Sequence, residues 1–177
     1  RATEPAPSDV ADIDDFVRAH AARCLHVGDV AGVLADQRTR DRRADRDLAG
    51  LHVGLVIADV SGKSVPAALF MVLARAILRA TATGDPGPSV AARRANDLIA
   101  ADAKSGMFVT LFYGILDPGS RTLRYVNAGH NPPAVLDGET GEIALLRTGG
   151  IAMGVMEGAD MEEREVVLGE EDTVLFY

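Results

Sequence analysis

The sequence predicts an α+β fold in which two consecutive helices pack beside a set of antiparallel strands. An apolar segment rich in β-branched residues comes first, and two stretches of helical composition follow it. Short apolar segments, separated by Gly, Pro, Asp and Asn, fill the second half of the chain. Helices and strands that are grouped along the chain in this way are typical of α+β layers rather than of βαβ repeats.

The first strand is predicted at 51–58, LHVGLVIA, a buried segment that ends at the turn around Ser61 and Gly62. Pro66 suits the first turn of the helix that follows, and this helix extends to about Thr83. Because the helix is apolar on nearly every side, we expect it to be buried on more than one face. Its predicted core residues, spaced four apart, are Leu69, Leu73 and Ile77.

A second helix is predicted to be capped by Ser89, to extend to about Lys104 and to end at Gly106. Its predicted core residues are Val90, Leu98 and Ile99. The rest of the chain is predicted to form strands, at 107–116, 122–128, 133–137, 142–147, 165–168 and 173–177.

The composition indicates a globular domain with a packed core. The chain has 177 residues, of which 47% are apolar and 25% are charged. We assign 1–12 to a linker or disordered start and 13–177 to one domain. No apolar run reaches the roughly 18 residues of a membrane-spanning helix. Because the chain starts with Arg1 rather than Met, we expect it to be part of a longer protein.

The charge and the cysteine content restrict the partners and the compartment. A net charge of -8 argues against binding to nucleic acid or to an anionic membrane. Five arginines alternate with four aspartates between Asp36 and Asp47, which we interpret as a solvated loop, with a phosphoprotein-binding patch as the alternative. Cys24 is the single cysteine, which excludes an internal disulfide and suits the reducing cytoplasm.

The segment 58–63, ADVSGK, places a carboxylate at the end of the first predicted strand. Asp59 in such a position could hold a metal ion rigidly, and Gly62 would let the backbone approach a ligand closely. The alternative is that Asp59 caps the turn or the helix, since Asp is favoured in both places.

The segment 127–133, NAGHNPP, directly follows another predicted strand. It combines the hydrogen-bonding side chains of Asn127 and His130 with two prolines. The alternative to a functional loop is a structural turn in which His130 satisfies backbone groups.

These motifs resemble the signatures of the SpoIIE/RsbU-type PPM (PP2C-like) serine/threonine phosphatases. The first signature is similar to 58–71, ADVSGKSVPAALFM, and the second to 107–133, which contains NAGHNPP. Two later pieces, 149–155 and 170–177, resemble the family's glycine-rich segment and its strand before the next acidic motif. The resemblance extends in register from Leu51 to Tyr177.

The resemblance implies an αββα four-layer sandwich of the PP2C-like type with two Mn²⁺ or Mg²⁺ ions at one edge. Such hard cations bind carboxylate and water oxygens, and they can activate a water for attack on a phosphoryl group. By the resemblance, Asp59 is the bridging metal ligand and the Val60 carbonyl adds another oxygen. Nearby residues to which it gives no role are Ser61, Gly62, Lys63, Asn127 and His130.

The chain departs from the family pattern in two places. The upstream GGDFYD-like motif is matched only by 26–32, HVGDVAG, in which Asp29 aligns with the first aspartate. The family's two remaining carboxylate ligands follow a strand like the last one here, so they would lie beyond Tyr177. The domain is then incomplete at its C-terminus. Asp172 precedes that strand and should lie at its opposite end, so we expect weak metal binding and little activity.

The function that the resemblance implies is hydrolysis of phosphoserine or phosphothreonine on a regulatory phosphoprotein, such as an anti-sigma-factor antagonist in a stress or sporulation circuit. It also implies an upstream sensor domain and a cytoplasmic location. One alternative is a catalytically silent PPM-like module that only binds partners. Another is a different metal-dependent enzyme on the same scaffold.

Overall fold

The computed structural model describes residues 25–26, 52–62, 65–84, 87–102 and 106–177, and these contain ten helices and strands. The two helices are α1 (Val65–Thr81) and α2 (Pro88–Asp102). The strands, in chain order, are β1 (Leu25–His26), β2 (Val53–Val60), β3 (Val109–Asp117), β4 (Thr122–Ala128), β5 (Ala134–Leu136), β6 (Ile143–Leu145), β7 (Glu163–Val167) and β8 (Thr173–Leu175). The predicted strand, two helices and later series of strands are confirmed as β2, α1, α2 and β3 to β8, and the short strand β1 precedes them.

The strands form two antiparallel sheets. One sheet has the order β2-β3-β4-β7 and the other has the order β1-β8-β5-β6. Side chains of β3 alternate between two cores because successive residues of a strand point to opposite faces. Val109, Leu111 and Tyr113 pack with the helices, whereas Phe112 and Leu116 pack between the sheets. The described residues therefore form three layers, helices on a sheet on a sheet, which is an α+β architecture.

Helix α1 is rotated relative to the prediction from its sequence. Its buried residues are Ala67, Phe70, Ala74 and Leu78. Leu69 is 65% exposed and Leu73 is 39% exposed, so their assignment to the core was wrong, while Ile77 is partly buried against the core. The expected burial on several faces was also wrong, since Val65 and Val72 are exposed. Apart from Arg75 and Arg79 near its C-terminal end, the helix is apolar on nearly every side, so its sequence pattern does not determine which side faces the sheet.

Helix α2 packs through small residues instead of the predicted branched ones. Ala91, Ala92, Ala95 and Ile99 are its buried apolar residues, whereas Val90 and Leu98 are exposed, which corrects their assignment to the core. Ser89 does not cap the helix. It lies inside α2, its Oγ donates to the carbonyl of Met161 over 2.8 Å, and its N–H donates to Glu163 over 2.9 Å.

Strand β2 lies at the edge of its sheet as the described residues form it, with β3 as its neighbour. Val56 is 53% exposed, so the expected complete burial of this segment was wrong. Among the residues that the structure describes, no helix is long and apolar enough to cross a lipid bilayer.

Candidate active site

Asp59 projects from the end of β2 on the face that looks toward the other sheet. Ala58 and Val60 pack with the helices, and Ile57 packs in the core between the sheets. Because side chains alternate along a strand, Asp59 shares the inter-sheet side with Ile57, and it is exposed there. Asp59 lies inside a strand and well before the start of α1, so it is not a helix cap.

Thr110 connects the two sequence motifs. The β2–β3 register places it opposite Asp59. Its Oγ1 donates to the main-chain oxygen of Asp59 over 3.3 Å and lies 2.9 Å from Nδ1 of His130. A hydroxyl has one proton, so when Thr110 donates to Asp59, His130 Nδ1 carries the imidazole proton and Nε2 carries the lone pair. The motif analysis missed Thr110, whose role depends on the strand register.

The NAGH segment is a tightly held loop at the end of β4. The buried Asn127 side chain accepts a hydrogen bond from the N–H of His130 over 2.8 Å. The main-chain N–H and carbonyl of Asn127 both bond to Thr148 Oγ1 at 3.0 Å. Gly129 has a φ of 71°, and a Cβ there would lie 3.1 Å from the nitrogen of Ala152. These constraints fix the position of His130 beside Thr110.

His130 is a half-buried imidazole close to Asp59. Burial lowers the pKa of His130, and this outweighs the Asp59 carboxylate and the main chain of Tyr177, both of which raise it. The ring is therefore mainly neutral at pH 7. Its Nε2 is buried and makes no hydrogen bond of good geometry, but the main chain of Tyr177 lies close enough to raise the pKa of the ring. The main chain at Tyr177 is therefore the nearest polar group for this buried nitrogen.

Two further predicted residues shape the end of β2. Ser61 exchanges two hydrogen bonds with Phe108, one from its N–H and one to its Oγ, each of 2.9 Å. Gly62 has a φ of 121°, which favours glycine.

Val60 is buried next to Asp59. Lys63 and Asp29 lie outside the described residues, so their assignments to the site remain predictions.

The described residues provide a carboxylate that suits a divalent metal ion, but too few such ligands to hold the ion alone. Carboxylate oxygens suit Mg²⁺ and Mn²⁺, and Asp59 supplies one exposed carboxylate. Within 52–62, 65–84, 87–102 and 106–177, no cluster of three or more His, Cys, Asp or Glu could hold an ion. Asp172 accepts hydrogen bonds from Gly138 and Gly169 at the start of β8, whereas Tyr177 lies near His130. Asp59 is therefore a suitable ligand for a divalent metal ion, and the other ligands would have to come from outside the described residues.

This architecture, with helices on two antiparallel sheets, is that of the PP2C-like domains. The chain belongs to the SpoIIE family, because the family model described as Stage II sporulation protein E matches residues 49–177. It is also similar to the solved RsbU and RsbW domains of Rv1364c from Mycobacterium tuberculosis, with 27% identity and a TM-score of 0.64. That match covers 73% of this chain and 36% of the solved chain.

Curated relatives are similar over a comparable part of the chain. Protein IcfG of Synechocystis sp. is 31% identical over 158 residues, which cover 70% of this chain and 25% of IcfG. Phosphoserine phosphatase RsbU of Bacillus subtilis is 24% identical over 125 residues, which cover 71% of this chain and 37% of RsbU. The chain thus spans well under half the length of these two relatives.

Proposed function

We propose that this chain is the catalytic part of a metal-dependent protein phosphatase that hydrolyses phosphoserine or phosphothreonine on a regulatory phosphoprotein. The observation that carries the proposal is the exposed Asp59 carboxylate at the β2 end, next to the Thr110–His130 pair, in a chain of the SpoIIE family. The name of the relative RsbU, a phosphoserine phosphatase, supports the same reaction.

In this proposal Asp59, the Val60 carbonyl and Asp29 would help to hold Mn²⁺ or Mg²⁺ ions, two in the complete domain. Bound ions would supply an activated water and neutralise the phosphoryl oxygens. A solved catalytic domain of the same fold, from the serine/threonine phosphatase PstP, is described as a complex with two manganese ions, at 19% identity and a TM-score of 0.52. Thr110 holds the main chain of Asp59 and contacts the imidazole of His130, which is close enough to Asp59 for the carboxylate to act on its pKa.

The number of ligands limits what this chain does alone. Asp59 and Asp29 together cannot offset the four positive charges of two divalent ions, and Mg²⁺ gives up its water reluctantly. We therefore propose that residues beyond Tyr177 complete the site. The second candidate function, a catalytically silent binding module, is favoured by the same small number of described ligands.

The partner we propose is a phosphorylated protein of the anti-sigma-factor antagonist type. For the protein that contains this chain, we also propose an upstream sensor domain and a cytoplasmic location. The family membership and the relatives RsbU and RsbP of Bacillus subtilis, both named phosphoserine phosphatases, support this assignment. The net charge of -8 supports a protein rather than a nucleic-acid partner.

The test is Asp59→Asn in a protein that carries this chain and the sequence after it, assayed by phosphate release from a phosphoserine peptide in Mn²⁺. We expect at least about a hundredfold loss with an unchanged circular dichroism spectrum, because the amide removes a charged ligand. Asp160→Asn is the matched control, since the Asp160 side chain is 88% exposed and its carboxylate pairs with the exposed Arg93. Turnover by Asp59→Asn close to that of the control would remove Asp59 from the mechanism.

A second measurement compares the 177-residue chain with the longer version by metal titration calorimetry. We expect at most one weakly bound ion for the chain alone and two ions for the longer version. Two tightly bound ions and full activity in the chain alone would show that the ligands lie elsewhere. No hydrolysis by the longer version under any metal condition would favour the silent module.

A further inference from the structure

A cavity of about 530 Å³ lies between α1 and the sheet, on the face of β2 opposite to Asp59. Gly54, Val56 and Ala58 of β2 form one wall, and Met71 and Leu78 of α1 form another. The floor belongs to the buried core and includes Tyr113 and Met153. Protein interiors contain few voids larger than a water molecule, whereas pockets for small ligands measure roughly 300–1,000 Å³. The cavity is thus of ligand size.

The cavity exists because small side chains face each other across it. Gly54 has no side chain, and a Cβ added there would make only an ordinary contact of 3.7 Å with Tyr113. Ala58 and Ala74 contribute one methyl group each to the same walls. Larger residues at these positions would fill the space, so the lining leaves room for an apolar group of another molecule.

Two arginines lie at the rim. Arg75 and Arg79 are one helical turn apart on α1, and both are exposed. Within the described part of the chain neither guanidinium has an ion-pair or hydrogen-bond partner, in contrast to Arg93, Arg124 and Arg164, which all contact acidic residues. A pair of unmatched cations above an apolar cavity, in a chain of net charge -8, is complementary to an anionic head group.

We propose that this cavity binds a small amphipathic anion, with its apolar body against β2 and its carboxylate, sulfonate or phosphate between Arg75 and Arg79. The site is separate from the proposed phosphatase chemistry, because the cavity residues of β2 point away from the face that carries Asp59. Its test does not depend on hydrolysis.

The test uses the 177-residue chain with decanoate as the probe and decanol as its uncharged analogue, measured by calorimetry and by backbone NMR shifts. We expect saturable one-to-one binding of decanoate, with the largest shifts in β2 and α1, and weaker binding of decanol. Arg75→Gln/Arg79→Gln should weaken decanoate binding about fivefold and leave decanol binding unchanged, since exposed charge pairs each contribute modestly. The charge-matched control is Arg93→Gln/Arg94→Gln on α2, which should bind decanoate like the unmodified chain.

Gly54→Leu should abolish binding of both probes, because its side chain would occupy the cavity while the strand backbone needs no unusual φ. If this variant fails to fold, the comparison of the Arg75→Gln/Arg79→Gln variant with its α2 control tests the proposal instead. Absence of saturable decanoate binding, as expected if other residues of the chain cover the cavity, would overturn the proposal. Equal weakening by the α1 and α2 variants would overturn it too, since only net charge would then matter.

Discussion

The core between the helices and the sheet has one half under α1 and one half under α2, and the two halves differ in how tightly they are packed. Helix α2 buries three alanines and Ile99 to 1% exposure or less, against β3 and β4. Helix α1 buries its four core residues to 5–7% and provides most of the helical lining of the cavity, to which α2 adds Ile99. Val65, Leu69 and Val72 of α1 are each at least 65% exposed, more than Val90 (41%) and Leu98 (53%) of α2. The α2 half also has side-chain hydrogen bonds to distant segments, through Ser89 and Asn96, whereas those of Thr81 at the end of α1 and of Thr83 just beyond it are local.

The difference assigns separate tasks to the two halves. His130 is held by Asn127, next to β3, in the half that α2 covers. Asp59 is on β2, in the half that α1 covers. Thr110 is the described side chain that bonds to both. A well-packed half thus supports the imidazole, and a less constrained half carries the carboxylate.

Within the well-packed half, the largest stability effect is expected at Ile99. Ile99→Ala should lower the free energy of unfolding by about 2–5 kcal/mol and Ile99→Val by about 0.5–1.5 kcal/mol, because both leave space in a core at 1% exposure. Urea denaturation followed by circular dichroism measures both. A loss below about 0.5 kcal/mol for Ile99→Ala would mean that the α2 half is not the rigid one.

Asn96 should have the next largest effect. Its side chain is fully buried, with Nδ2 donating to the carbonyl of Met156 over 2.9 Å and Oδ1 accepting from Gly154 over 3.1 Å. Asn96→Ala leaves those main-chain groups without partners, so we expect a loss of about 1–3 kcal/mol. Arg94→Ala, at an exposed position of the same helix, is the control and should be nearly neutral. Equal stability of the two variants would contradict the role of Asn96.

Variants of Thr110 test the hydrogen bonds that connect Asp59 in one half with His130 in the other. Thr110→Val removes the hydroxyl that bonds to Asp59 and His130, whereas Thr110→Ser retains it. We expect Thr110→Val to lose about 1 kcal/mol of stability. We also expect about a tenfold loss of phosphatase activity in the longer protein, since residues that orient ligands typically contribute that much. The ¹⁵N shift of His130 Nδ1 should change in the Val variant and persist in the Ser variant. Identical shifts in both would show that the bond does not form.

The sequence predicted the parts of this molecule that local patterns determine. Period-two and β-branched segments located the strands, whereas the grouping of Asp59 with His130 at one site came from the resemblance of the ADVSGK and NAGHNPP motifs to the family signatures. The rotation of α1 was mispredicted because apolar residues lie on nearly every side of that helix. Only its packing on the sheet determines that Phe70 is buried and Leu69 is exposed. Thr110 was missed because its two bonds depend on the β2–β3 register and on the course of the chain after β4.

The smallest effect is expected at Leu69, which the sequence assigned to the core and which the structure leaves 65% exposed. Leu69→Ala should change the free energy of unfolding by less than about 0.5 kcal/mol, because little apolar surface is lost from contact. Phe70→Ala, at the adjacent position that is 7% exposed, should lose about 3–5 kcal/mol and provides the internal comparison. Denaturant unfolding of the two variants in parallel measures the rotation of α1 directly. A large loss for Leu69→Ala with a small loss for Phe70→Ala would mean that the helix presents the other stripe to the sheet. Ala74 and Leu78, which share the Phe70 side of the helix and line the cavity, would then not face the sheet, so this pair of variants also tests the position of the cavity between α1 and β2.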